Sequence, residues 1–135
     1  MDLLGEMQKT IAEAKEAGLE EYAAKLETAI NKLGEVAMHM GKTAMSEKVL
    51  NAFAFAHPFM EVVGDVVTAW MLLWRASVAA PKVETSKKDA DFYKGLVKSA
   101  EFFLNSVLPI TLGKMEAILA TNGAAMEIEE SSFGG

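Results

Sequence analysis

Apolar side chains recur along this chain at intervals of three and four. Leu4, Met7, Ile11 and Ala14 form one series, and Leu19, Tyr22, Leu26, Ile30, Leu33, Ala37 and Met40 form a second. Those steps return to one side of an α-helix, so each series predicts an amphipathic helix. Gly18 stands between them, behind Lys15, where a left-handed residue closes a helix, and a break or kink is expected there. Gly41 is expected to close the second helix, with Thr43 or Ser46 capping the next through a side-chain oxygen.

The third stretch, Ser46 to about Ala80, predicts the longest helix. Its apolar set of Val49, Phe53, Phe55, Phe59, Val62, Val63, Val66, Trp70 and Leu73 spreads well beyond one stripe, which implies burial on more than one side. Pro58 has no N–H and its ring collides with the carbonyl of Ala54, so a bend is expected between Ala56 and Pro58. Pro81 and the polar run Lys82 to Ser86 are expected to end this helix in a loop. In Ser86-Lys87-Lys88-Asp89 the hydroxyl and the carboxylate can each accept from a free backbone N–H, the mark of a new helix start. Its face reads Phe92, Leu96, Ala100, Phe103, Val107, and Pro109 disfavours helical geometry at Leu108. A last helix should carry Leu112, Met115 and Leu119 inward and stop near Asn122-Gly123, leaving residues 127–135 as a frayed acidic tail. No segment alternates with period two. The pattern predicts an all-α, single-domain bundle of four to five helices over residues 1–135.

Composition narrows the classes of function. At 135 residues there is one core. Hydrophobic residues make up 51% of the chain, which raises the question of a membrane span. His57, Glu61, Asp65 and Arg75 interrupt the most apolar region, Val49 to Ala80, short of the ~20 unbroken apolar residues a span requires, so no membrane partner is expected. The first residues carry neither a basic leader nor a small-residue cleavage site, and a cytoplasmic location is expected. Thirteen basic against nineteen acidic residues give a net charge of −6, the wrong sign for nucleic acid or anionic lipid. Without cysteine there is no disulfide, thiolate metal site or thiol nucleophile.

The sharpest chemical pattern is His57, Glu61 and Asp65 at i, i+4 and i+8, three metal-ligand types in a row on one helical face. A carboxylate-bridged two-metal bundle needs roughly six inward ligands, including Glu-x-x-His pairs. The other candidate pair here, Glu35 with His39, again has i, i+4 spacing, so the ligand set falls short and no metal site is assigned. Glu61 and Asp65 as an acid–base pair fare no better, because neighbours on a helix surface shift each other's pKa weakly. Ser77, Ser99 and Ser106 sit in no nucleophile turn, and no glycine-rich loop stands between a strand and a helix. Met7, Met40, Met60 and Met115 read as core filling, and Trp70 with Trp74 as core or interface anchors. No catalytic, cofactor-binding or metal-ligating residue is therefore assigned to this chain.

Three stretches carry a family resemblance. They are Ala56-His57-Pro58-Phe59-Met60-Glu61-Val62-Val63-Gly64-Asp65-Val66-Val67-Thr68-Ala69-Trp70 with Arg75-Ala76; Asp91-Phe92-Tyr93-Lys94-Gly95 leading to Ala100-Glu101-Phe102-Phe103 and Leu108-Pro109; and Glu129-Glu130-Ser131-Ser132-Phe133. In this order and spacing they resemble the helical C-terminal extension of one branch of bacterial acyl-CoA dehydrogenases, the acetyl-CoA dehydrogenase C-terminal-like segment. The resemblance implies a non-catalytic accessory or oligomerisation role in acyl-CoA (fatty acid) oxidation. It implies FAD and a catalytic glutamate only in regions of the parent enzymes to which nothing here maps. Where the family often carries a lysine and an arginine, this chain has Leu96 and Glu101, which removes a basic patch for CoA phosphates. The partners implied are the catalytic body of such an enzyme or a second copy of the chain. A free-standing helical adaptor or regulator is the alternative, and a metal-binding bundle a third. A homodimer is expected because Phe53 to Trp74 presents apolar residues over so wide an arc. The narrow first helix, broken at Gly18, is expected to cover little of it.

Overall fold

The computed structural model describes residues 3–46 and 49–120. Among them the chain is all-α: α1 (Leu3–Glu16), α2 (Glu20–Ala44), α3 (Val49–Ala54), α4 (Ala56–Thr85), α5 (Ala90–Phe102), a π-helical turn (Phe103–Val107) and α6 (Leu108–Ala120). Helix α5, the π turn and α6 run on as one rod, Ala90–Ala120, so the described residues form five helices.

The break at Gly18 is where the pattern places it. Gly18 adopts φ 84°, and the N–H of Leu19 reaches the carbonyl of Ala14 (2.8 Å) while that of Gly18 reaches Lys15 (3.3 Å). This pair of reversed bonds satisfies the last carbonyls of α1, and Leu19 and Ala14 are both buried beside it. Helix α2 continues past Gly41 to Ala44, and Ser46 donates its hydroxyl back to the carbonyl of Thr43.

The bend expected between Ala56 and Pro58 lies one residue earlier, at Phe55, which separates α3 from α4. The steric cause is the expected one: α3 ends at Ala54, whose carbonyl the Pro58 ring would strike in an unbroken helix. Pro58 then sits in the first turn of α4, where its missing N–H has no partner to lose. Pro81, by contrast, does not end the helix. α4 runs through it to Thr85, with the Thr85 hydroxyl donating to the Pro81 carbonyl (3.3 Å). Packing offsets the lost bond here, since α4 lies along α5 and Lys82 lies over the Tyr93 ring at 5.6 Å. Ser86 closes α4 in an extended conformation, and α5 starts only at Ala90, with no side-chain hydrogen bond at its Asp89 cap.

Pro109 is also helical on both sides, with Leu108 at φ −59° and ψ −38°. The π turn accounts for this: the Leu108 N–H bonds the carbonyl of Phe103, five residues back, and the widened turn makes room for the ring. The stop near Asn122-Gly123 and the tail 127–135 lie outside the described residues.

Helix α4 is the axis of the bundle, in contact with α1, α2, α5 and α6. The core gathers Met7, Ile11, Ala14, Leu26, Ile30, Val36, Val62, Val66, Leu73, Leu104, Leu108, Met115 and Ile118. Leu4, Ala37, Met60 and Phe92, expected to face inward, are exposed instead, and Val36 takes the place of Ala37. The wide apolar arc of α4 is in part covered by α1, which docks against it and contributes Met7 and Ile11 to the shared core. α4 and the α5–α6 rod, 30 and 31 residues long with windows of mean hydropathy 1.3, are long and apolar enough to cross a membrane. In the bundle they lie against each other.

Candidate functional site

The row His57, Glu61, Asp65 follows the α4 seam with α6. His57 Nε2 lies 3.0 Å from Glu61 Oε1, and the other Glu61 oxygen accepts from Lys114 Nζ at 3.0 Å. Lys114 also lies 3.9 Å from Asp65 Oδ2, which accepts a 2.8 Å hydrogen bond from the Thr111 hydroxyl. The hydrogen bond from Lys114 holds the Glu61 carboxyl below the usual carboxylate range, and the same bond raises the Lys114 ammonium. The carboxylates are thus turned to an ammonium and a hydroxyl across the helix pair. Glu35 is exposed and His39 half-buried on α2. Among the described residues no three His, Cys, Asp or Glu side chains gather in a way that could hold a metal ion. The row works as a polar pin that sets the register of α6 on α4.

Two further pins join other helices. The Trp70 indole N–H donates to Thr10 Oγ1 of α1 at 2.8 Å, and Trp70 stacks on Trp74 at 5.9 Å between centroids. The Tyr22 hydroxyl of α2 feels the charge of Glu101 of α5, which accepts from Lys98 at 2.8 Å. Burial first, and then the Glu101 charge, raise the Tyr22 hydroxyl above its ordinary value. Glu101 is half-buried, and its partner Lys98 stands one turn before it on α5. Sequence reasoning missed Thr10, Thr111 and Lys114. Their signal was present as lone polar residues on otherwise apolar helix faces opposite an indole or a carboxylate.

A groove of about 400 Å³ opens between α4 and α5, lined by Met71, Trp74, Arg75, Val78, Ala79, Tyr93 and Leu96. Its walls are apolar apart from Arg75 and the Tyr93 hydroxyl. Ser77 is buried and donates its hydroxyl to the carbonyl of Leu73 (2.8 Å), and Ser99 donates to Gly95 (2.9 Å). Both serines are thus engaged with their own helices. No acid, base and nucleophile converge on the groove.

Over 77 residues the chain is 31% identical to the broad-specificity linear acyl-CoA dehydrogenase FadE5 of Mycobacterium tuberculosis. That alignment covers 56% of this chain and only 13% of the relative's length. The match to the family described as "Acetyl-CoA dehydrogenase C-terminal like" takes in residues 3–129, from the first turn of α1 to beyond α6, and the chain belongs to that family.

Proposed function

We propose that this bundle is the non-catalytic accessory and oligomerising segment of a cytoplasmic, flavin-dependent acyl-CoA dehydrogenase acting in fatty acid oxidation. The observation that carries this reading is the family match along residues 3–129. The geometry supports it. Polar side chains such as Thr10, Thr111 and Lys114 tie helices together, and none of them lines the α4–α5 groove. In this reading the catalytic body binds FAD and acyl-CoA, the long apolar helices pack in the bundle rather than span a membrane, and nucleic acid is no partner. The open groove favours one second reading, a free-standing helical adaptor.

The test is a flavin titration of the purified 135-residue chain beside an activity assay of the parent dehydrogenase with and without this segment. No flavin binding by the chain is expected, together with loss of assembly or activity in the truncated enzyme. Stoichiometric FAD binding by the chain, or an enzyme indifferent to its removal, refutes the reading. Elemental analysis should likewise find no equivalent of iron, manganese or zinc that depends on His57.

A further inference from the structure

The exposed apolar side chains beside the α4–α5 groove are concentrated on one face. Met71 (43% exposed), Trp74 (44%) and Val78 (50%) stand on α4, and Phe92 (64%) stands edge-on to Tyr93 at 5.6 Å on α5. With about 150–250 Å² for an aromatic side chain and somewhat less for Met and Val, these four leave roughly 400 Å² of apolar surface in water. Interfaces are about 60% apolar, so a partner covering that patch buries roughly 650 Å² of this chain, at the lower end of specific interfaces. The area suits a modest self-association.

Charge points to the same occupant. Arg75, the single arginine of the chain, lines the groove and has no ion pair among the described residues. On the other side of Trp74, Glu6 and Glu13 of α1 flank Lys9 along the cleft beside the tryptophan pair, and neither glutamate has an ion-pair partner there. A free guanidinium on one edge and free carboxylates on the other make the face self-complementary about a two-fold axis, as an isologous dimer requires.

We propose that this face is the two-fold interface with a second copy of the chain, Trp74 entering the partner's groove and Arg75 meeting the acidic edge of the partner's α1. The proposal rests on the oligomerising role given above and names the surface that performs it. The test is sedimentation equilibrium of the 135-residue chain from about 1 to 100 µM, a range that brackets micromolar affinity. A doubled mass is expected. Trp74→Asp and, independently, Val78→Asp should each weaken the dimer at least tenfold, with the helical circular dichroism of the wild type retained. Val78 stands apart from the tryptophan stack, so it reads the interface even if Trp74→Asp disturbs α1. Arg75→Glu should weaken association, and adding Glu6→Lys and Glu13→Lys should restore it. A monomer throughout the range overturns the proposal and leaves the accessory role to the truncation experiment. A dimer indifferent to both aspartate variants overturns this face alone and leaves the oligomerising role standing.

Discussion

Replacing Thr10 by valine isolates the bond that docks α1 on the bundle. The two side chains have nearly the same shape and similar helix propensity, so the main loss is the acceptor for the Trp70 indole N–H, 2.8 Å away. A fully buried donor left without a partner costs about 1–3 kcal/mol, and Trp70 is half-buried, so the lower part of that range applies. The cleft beside it measures about 40 Å³ and is lined by Thr10, Trp70 and Trp74. That is room for one water at the ~30 Å³ a molecule occupies, which places the cost near 1 to 1.5 kcal/mol. For a chain of this size the midpoint of thermal unfolding should fall by about 3–6 °C. Thr28→Val is the control, because the exposed Thr28 hydroxyl only returns to the carbonyl of Ala24 (3.0 Å), and it should stay within about 0.5 kcal/mol. A double-mutant cycle with Trp70→Phe should then show a coupling of about 1 kcal/mol, read by urea denaturation. If Thr10→Val is no worse than Thr28→Val and the cycle is additive, the bond does not hold α1 and the reasoning fails.

Leu73→Ala, at the fully buried centre of α4, should cost about 2–5 kcal/mol, while Phe53→Ala, 73% exposed, should cost less than about 0.5 kcal/mol by the same denaturation assay. Glu61 titrates below its ordinary value, so its contribution to stability is present above that value and is lost as pH falls through the lower folded value. Lys114→Met should therefore move the Glu61 carboxyl back up, seen by carbon-detected NMR, and flatten the acid limb of the stability profile.

Helix existence was legible because it depends on periodicity, which the chain displays openly from Leu4 to Leu119. Gly18 was legible for a local reason, since the left-handed turn it makes is set by its neighbours in sequence. Pro81 and Pro109 misled because their local cost is overridden by contacts no local pattern records: the side of α5 against α4 in one case, a widened turn in the other. The row His57, Glu61, Asp65 could be placed on one face from spacing alone, but what it meets could not. Lys114 is 53 residues from Glu61, and only the antiparallel packing of α6 brings them together. The same holds for Trp70 and Thr10, 60 residues apart. The cover α1 gives to α4 was underestimated because a narrow stripe on a short helix says nothing of a side-chain bond from its middle, at Thr10.

The π turn marks where this chain can lose a residue without losing the register of its rod. Such a turn is what remains when an α-helix takes in one surplus residue and absorbs it without rotating the segments on either side. Upstream of it the rod is buried at Ala100, and downstream at Leu108, Thr111 and Met115. One residue added or removed between Ala90 and Phe102 swings everything beyond it by about 100° and carries Thr111 and Lys114 away from Asp65 and Glu61. One residue removed within Phe103–Val107 would only restore ordinary helix. Relatives shorter by one between the Phe102-Phe103 and Leu108-Pro109 positions should therefore keep the Thr111 and Lys114 positions intact, but a proline at the 109 position would no longer fit.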